Sequence, residues 1–194
     1  MSFDITKIHV GAIRIWTAAT AAASGTPPTY ATHASGVPNQ GSPIEAGLTE
    51  NDAIFTYQLV KTEIMAEQSF GPVDVYASNE SAQLTFTMQE ANAQALKVAF
   101  DSAVGYDSSS GDGFYFGNGT GILAPMTTCV FFSSVRRDAV TKFFVGQLYK
   151  AYSKDGFKFL FSKTKKSTYN VTLVGVADLT RTAKDQMGYV RREA

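Results

Sequence analysis

Apolar and polar positions alternate most clearly near the middle of the chain. Leu84, Phe86 and Met88 are separated by single polar residues, so their side chains share one face of a strand. Beyond residue 90 the spacing changes, and Leu96 and Phe100 lie four residues apart, as on one face of a helix. This pattern predicts a strand that leads directly into one short amphipathic helix.

Other apolar runs predict further strands on both sides of that segment. Val135–Asp138 and Lys154–Gly156 are interpreted as hairpin turns, and the second of them contains Asp-Gly, a strong hairpin signal. With 16 glycines and 12% aromatic residues, the chain favours many short strands and turns over a helical bundle. We therefore expect a mainly β protein, a β-sandwich or barrel-like domain with one short α-helix. Its predicted strands, besides the central one, are Ile8–Trp16, Ile54–Val60, Met126–Ser134, Thr141–Ser153, Phe157–Lys163 and Tyr169–Ala177.

Three segments lack a strand pattern. Thr17–Ala53 is rich in Ala, Thr, Ser, Gly and Pro, and it is far longer than an ordinary connection, so it predicts a long functional or disordered loop. Ser102–Pro125 predicts a second loop. The polar, charged Leu179–Ala194 predicts a C-terminal arm that only a partner would order. We expect one β domain over residues 1–178, followed by the arm at 179–194.

Length and composition indicate one ordered domain of ordinary size at 194 residues. The single cysteine, Cys129, cannot form an internal disulfide. No apolar run approaches about 18 residues, so no membrane-spanning segment is expected. The net charge of zero hides an asymmetry: residues 1–112 hold 12 acids and 4 bases, whereas residues 113–194 hold 5 acids and 13 bases. Acidic and basic surfaces of this kind can meet on neighbouring copies.

Sequence signatures of catalysis or of a cofactor are absent. The two histidines, His9 and His33, do not belong to a cluster with metal-ligand spacing. Asp107–Gly113 lacks the ligand spacing of a calcium loop, and Gly117–Gly121 lacks the Lys-Ser/Thr of a phosphate loop. We expect no enzyme activity, no cofactor and no metal.

Two regions resemble the tail tube (major tail) proteins of bacteriophages with long, non-contractile tails. The first contains Ala66-Glu67-Gln68, then Pro72-Val73-Asp74 as a crossover, the strand Leu84–Glu90 and the helix Asn92–Ala99. The second, Phe157–Lys163 followed by Tyr169–Asp178, is similar to the closing hairpin of that family. Together the two regions cover nearly half the chain.

The resemblance implies a structural virion protein of the tail, assembled in the host cytoplasm. Six subunits would form a ring with a shared inner β-barrel, and rings would stack head to tail into a tube. The expected partners are other copies of the chain, a tape-measure protein and the tail terminator and tip proteins. Genomic DNA would pass through the lumen without specific binding, and no membrane would be involved.

Two sets of charged residues are candidates for this assembly. A lumen that conducts DNA should not bind phosphate, so the acids of a segment with few bases are candidates to face it: Glu63, Glu67 and Asp74. The acids of the long loop, Glu45, Glu50 and Asp52, are candidates for contacts between rings. Their basic counterparts lie at predicted turns: Arg136, Arg137, Lys163, Lys165 and Lys166.

Three other interpretations fit the same sequence. A monomeric β-sandwich could bind a carbohydrate or a protein through its two loops. A secretion-system tube subunit of the same fold would have nearly the same pattern. A small enzyme with an unrecognised site is the third interpretation.

Overall fold

The computed structural model describes residues 13–32, 37–39, 41–47, 49–68, 70–89, 105–107, 113–115, 128–135, 142–154 and 168–193. Regular structure in these residues consists of β-strands. They are β1 (Ile13–Ala19), β2 (Tyr30–Thr32), β3 (Val37–Pro38), β4 (Gly41–Glu45), β5 (Thr49–Met65), β6 (Pro72–Met88), β7 (Gly105–Asp107), β8 (Gly113–Tyr115), β9 (Thr128–Val135), β10 (Phe143–Ser153), β11 (Tyr169–Gly175) and β12 (Gly188–Arg192).

Eight of these strands form one antiparallel sheet. Its order is β4-β1-β9-β10-β11-β6-β5, and β12 also pairs with β10. Strand β10 has β9 along one edge, while its other edge pairs first with β12, at Phe144–Leu148, and then with β11, at Ala151–Ser153. Two further pairs, β2-β3 and β7-β8, lie outside this sheet. The prediction of a mainly β, barrel-like fold is confirmed.

The sheet curls so that its two ends approach each other. The Thr49 hydroxyl, at the start of β5, donates to the carbonyl of Ile13 in β1 at 3.3 Å. The enclosed core draws on both halves of the sheet, because alternate residues of each strand share a face. Its buried residues are Ile15, Ala46, Ala82, Leu84, Phe86, Met88, Val130, Phe132, Leu148, Ala151, Tyr169, Val171 and Leu173.

A second core lies on the opposite face of β1, β9 and β10. It contains Trp16, Ala19, Cys129, Phe131, Phe143 and Val145, with Ala21 and Val37 packed against them. Gln147 is buried beside this core, and its side-chain amide is satisfied. It donates to the Thr20 carbonyl and the Cys129 sulfur, and it accepts from the Ala22 amide. Burial on both faces explains why β9 has a continuous apolar run instead of an alternating one.

The predicted long loop is partly wrong. Residues 17–53 contain the end of β1, the strands β2, β3 and β4, and the start of β5. The register between β1 and β4 shifts between Thr17 and Ala19, and Gly41, which opens β4, has a φ of +78°. A positive φ is easily adopted by glycine. Short strands at a sheet edge tolerate the glycine and proline that made this segment resemble a loop.

The predicted C-terminal arm is also wrong for the single chain. Strand β12 pairs with β10 over five residues, from Leu148↔Gly188 to Phe144↔Arg192. The chain that precedes β12 is held by hydrogen bonds that Ser24 and the Gly25 amide donate to Asp185. Polar contacts therefore order a segment that has few apolar residues to bury.

Several expectations fall on residues outside the described ranges. The short helix after Met88, the strand Phe157–Lys163 and the turn at Arg136 and Arg137 are among them. The second predicted loop contains the strands β7 and β8, and its other residues are not described.

Candidate functional site: the β5–β6 hairpin

The longest strands form a hairpin that extends past the rest of the sheet. β5 and β6 have 17 residues each, whereas β11 pairs with β6 only from Gln83 to Met88. Beyond that point β5 and β6 pair only with each other among the described strands. Strand Gln58–Met65 alone spans roughly 27 Å at about 3.4 Å per residue. The predicted crossover at Pro72–Asp74 is instead the return strand of this hairpin, which is a correction to the sequence analysis.

The pairing register assigns each hairpin residue to one of two faces, because directly opposed residues share a face. One face contains Leu84 and continues the surface that faces the core, and we call it the core-side face. Its residues on β5 are Phe55, Tyr57, Leu59, Lys61, Glu63 and Met65, and those on β6 are Pro72, Val75, Ala77, Glu80, Ala82 and Leu84. We call the opposite one the polar face: Ile54, Thr56, Gln58, Val60, Thr62 and Ile64 with Asp74, Tyr76, Asn79, Ser81, Gln83 and Thr85.

Large apolar side chains of the hairpin are exposed in the single chain. Met65 is 62% exposed, Val73 is 55% exposed and Val75 is 47% exposed, while Phe70 next to the turn is fully exposed. An isolated two-stranded hairpin is at best marginally stable in water. Exposed apolar patches of this kind mark interaction surfaces. We call Gln58–Met65 and Pro72–Ser81, with the turn between them, the distal hairpin. It is the part of the described chain that most requires a partner.

Both edges of the distal hairpin are unpaired among the described strands. The outer edge of β5 has no strand beside it, and neither has the outer edge of β6 between Pro72 and Ala82. Unpaired strand edges offer backbone N–H and C=O groups to another strand. In addition, Tyr57 donates a hydrogen bond to Glu80 on the core-side face, which joins the two strands near the point where the hairpin leaves the sheet.

The three acidic lumen candidates do not share a surface. Glu63 is opposite Val75 on the core-side face, whereas Asp74 is opposite Ile64 on the polar face. Glu67 lies in the turn between the strands. Glu63 and Asp74 therefore lie on opposite faces of the hairpin, and the position of each candidate relative to a lumen stays a prediction.

Two grooves lie where the hairpin meets the body of the protein. An apolar groove of about 240 Å³ is lined by Phe55, Tyr57, Ala82, Leu148 and residues 187–190. A more polar groove of about 510 Å³ is lined by Leu59, residues 77–80, Gly175, Ala177 and Met187. Met187 borders both grooves, so together they follow the core-side face toward the distal hairpin.

The structure describes only some of the residues that are candidates for contacts between rings. Glu45 already forms a two-pronged ion pair within the chain, since Arg14 donates to its two carboxylate oxygens at 2.6 and 2.8 Å. The Arg14 guanidinium also lies 4.9 Å from the centre of the Trp16 ring. Glu50 and Asp52 belong to β5, where the structure describes their backbone only. The basic candidates lie outside the described residues: Arg136, Arg137, Lys163, Lys165 and Lys166.

A polar cluster ties the C-terminal segment to the N-terminal one. The Asp185 carboxylate accepts hydrogen bonds from Ser24, the Gly25 amide, Tyr149 and Arg181. The Arg181 guanidinium lies 3.5 Å from the centre of the Tyr149 ring and donates to the Ala22 carbonyl at 2.7 Å. Burial alone would raise the pKa of Asp185, but the donated hydrogen bonds outweigh it and lower the pKa to about 2. Sequence analysis found no signal for this cluster, because residues 22–25 lie more than 120 positions before its other members, Tyr149, Arg181 and Asp185.

A second carboxylate holds the chain just before that cluster. Lys150 donates to Asp178 at 2.8 Å, and the backbone and hydroxyl of Thr180 donate to the same oxygen. The Lys150 hydrogen bond, assisted by Thr180, lowers the pKa of Asp178 to about 2. These contacts keep the C-terminal segment against β10 and give no sign of a reacting group.

The described residues give little indication of metal binding, thiol chemistry or a membrane-spanning helix. They contain no group of three or more His, Cys, Asp or Glu side chains placed to hold a metal ion. Burial raises the pKa of the Cys129 thiol to about 12, so this cysteine is unreactive in the folded chain. No helix among the described residues is long and apolar enough to cross a membrane.

Comparison of the chain with protein-family models and with curated proteins finds no match. The inference about function therefore depends on the hairpin. A signal for it was present in the sequence, because apolar residues occupy both alternating sets of positions between Ile54 and Met65. That pattern is typical of a strand covered on both faces, yet the single chain leaves both faces of the distal hairpin exposed.

Proposed function

We propose that the protein is a self-assembling structural subunit of a bacteriophage tail tube, in which six copies form a ring and rings stack into a conduit for DNA. The observation that carries the proposal is the distal β5–β6 hairpin, with two unpaired edges and exposed apolar side chains on both strands. The partner that it favours is another copy of the same chain.

The geometry of a hairpin supports a ring of identical copies. Its two edges are formed by strands that run in opposite directions, β5 on one side and β6 on the other. When copies stand side by side in the same orientation, β6 of one copy lies antiparallel to β5 of the next. Antiparallel pairing therefore continues around the ring, and closure of the ring removes every free edge. The contact joins different surfaces of the two copies, which is the arrangement of a cyclic oligomer.

The composition of the hairpin suits a conduit for a polyanion. Between Ile54 and Thr85, Lys61 is the single basic residue, against the acids Glu63, Glu67, Asp74 and Glu80. Phosphate groups bind proteins mainly through Lys and Arg, so a barrel built from this hairpin would have few groups that arrest DNA. The family resemblance adds the expected partners of the tube, namely a tape-measure protein inside it and terminator and tip proteins at its ends. The expected location is the tail of the virion.

A shortened hairpin tests the proposal. Val60 and Asn79 are direct cross-strand partners, so a two-residue Asn-Gly turn can join them and replace residues 61–78. We expect the natural chain to form rings or tubes in negative-stain electron microscopy. The shortened chain should remain a folded monomer, because it lacks the distal strand segments that would pair with the next copy. Circular dichroism and urea unfolding would show that the body of the protein is intact.

Two outcomes would contradict the proposal. One is tubes formed by the shortened chain, which would assign assembly to another surface. The other is a compact monomer of the natural chain at every concentration tested, which would favour the monomeric binding module.

A further inference from the structure

We propose that the polar face of the hairpin lines the lumen of the tube and that the core-side face is buried against the neighbouring copy. This assignment rests on the proposed function and adds to it which side chains meet DNA. Of the two acidic candidates on the strands, it places Asp74 in the lumen and Glu63 at the contact between subunits.

The chemistry of the polar face favours its placement in the lumen. Its side chains are mostly hydroxyls and amides: Thr56, Gln58, Thr62, Asn79, Ser81, Gln83 and Thr85. Asp74 is its one charged residue, and it has no Lys or Arg. The same surface continues onto β11, where Thr172 is opposite Thr85 and Asn170 accepts a hydrogen bond from Thr87 at 2.8 Å. Hydrated neutral groups next to a single acid cannot form the basic contacts that hold phosphate.

The core-side face is continuous with the interior of the protein, which favours its burial against a neighbouring copy. Leu84 and Ala82 are buried in the core, and the face continues outward through Tyr57, Leu59 and Val75. The two grooves at its base lie between this face and residues 175–190. The body of a neighbouring copy, packed on the core-side face, would extend a surface that is already apolar.

The distribution of charged residues between the two faces of the hairpin favours the same assignment. Between Ile54 and Thr85 the paired strands hold four charged residues, and three of them lie on the core-side face: Lys61, Glu63 and Glu80. Lys61 is the one base of the hairpin, and on this face it can meet an acid of the next copy instead of DNA. The exposed apolar residues of the polar face, such as Val60 and Tyr76, carry no charge and offer phosphate no ionic contact.

Single cysteines can report which face is in the lumen. Gln58→Cys and Asn79→Cys are placed on the polar face, and Lys61→Cys and Ala77→Cys are their matched controls on the core-side face, one on each strand. The natural Cys129 adds little background, because it is buried and unreactive. The probes are N-ethylmaleimide, which is small, and a polyethylene-glycol maleimide that is too bulky to enter a tube.

Before assembly, all four cysteines should react with both probes. In tubes, the polar-face cysteines should keep their reactivity with N-ethylmaleimide and lose at least about tenfold in rate with the bulky probe. The core-side cysteines should become protected from both probes. The use of two positions per face guards against one variant that fails to fold.

A second measurement uses duplex DNA as the probe. Tubes of the natural chain should retain little of a short duplex, whereas tubes of the Gln58→Lys, Asn79→Lys double variant should retain it and release it as salt rises. Tubes with the reverse pattern of cysteine protection, or lysine tubes that retain no more DNA than natural ones, would overturn the face assignment and leave the proposed function in place. Failure to form any ring or tube would instead overturn the proposed function, and the assignment with it.

Discussion

The aromatic rings of Phe55 and Phe132 lie 5.2 Å apart, although three strands separate β5 from β9 in the order of the sheet. Their contact closes the curled sheet over its core and fixes the base of the hairpin to the body of the protein. The Phe132 ring also covers Gly146 on the neighbouring strand, its direct partner in the β9–β10 pairing. Phe132 therefore packs against both Gly146 on β10 and Phe55 at the base of the hairpin.

Gly146→Ala should destabilise the protein. A Cβ atom at this position would lie 1.9 Å from the Phe132 ring, so the ring would have to move and disturb its contact with Phe55. Overpacking of a core typically costs about 1–3 kcal/mol of unfolding free energy. Urea unfolding of the free subunit, monitored by circular dichroism, would measure the loss.

Gly71→Ala is the matched control for that substitution. An added Cβ meets no atom within 4 Å at Gly71, which lies at the tip of the hairpin. Its unfolding midpoint should stay close to that of the natural chain. Equal midpoints for Gly146→Ala and the natural chain would show that Phe132 does not cover Gly146 in solution.

Protonation of Asp185 should weaken the folded state in acid. Its pKa in the folded chain is lowered to about 2 from an ordinary value of 3.8. A lowered pKa means that the folded state favours the charged carboxylate. The resulting stabilisation is present above about pH 4 and is lost as the pH falls toward 2. Urea unfolding of the natural chain and of Asp185→Asn across this range would test the effect.

The difference between those two proteins should be largest near neutral pH and should shrink toward pH 2. Asp178→Asn should follow the same trend, because its pKa is lowered for a similar reason, chiefly the hydrogen bond from Lys150. A difference between natural chain and Asp185→Asn that does not change with pH would contradict a role for the charge of Asp185.

Sequence patterns predicted those elements whose side chains are buried on one face. The alternation of Leu84, Phe86 and Met88 holds in β6, because the core covers that face and leaves polar residues on the other. The extent of the hairpin was missed, since apolar residues on both of its exposed faces break the alternation. Polar contacts of Asp185 order the C-terminal segment, and hydrophobic periodicity cannot detect contacts of this kind.

The face of Asp74 could not be read from the sequence, because it depends on a local irregularity. Simple alternation from Leu84 along β6 would place Asp74 on the core-side face, together with Glu63. The pairing register shifts between Val60 and Lys61, where Asn79 and Ala77 are the successive partners on β6. One extra residue, Ser78, therefore moves residues 74–77 of β6 to the opposite parity, and a second shift between Ile64 and Met65 returns Pro72 to the core-side face.

Cys129 should resist thiol reagents until the protein unfolds. Its thiol is buried, burial raises its pKa to about 12, and Gln147 donates to its sulfur at 3.1 Å. Since the thiolate is the reactive form, labelling of the folded chain should be far slower than labelling in denaturant. Mass spectrometry of maleimide adducts over a urea series should give a transition that coincides with unfolding. Fast labelling of the folded chain would contradict the burial and would require a Cys129→Ser background for the hairpin cysteines.

Gly188→Ala should release the C-terminal strand from the body of the protein. An added Cβ would lie 2.4 Å from the Gln147 carbonyl, a backbone atom that cannot swing aside. Strand β12 begins at this residue, and its pairing with β10 holds the backbone of Arg191 and Arg192 in the sheet. Trypsin should therefore cleave the natural monomer slowly after these arginines and the Gly188→Ala monomer quickly, with fragments identified by mass spectrometry. Cleavage after the exposed Lys184 serves as an internal reference, because it precedes the strand in both proteins. Rapid cleavage after Arg191 and Arg192 in the natural monomer would instead support the free arm that the sequence predicted.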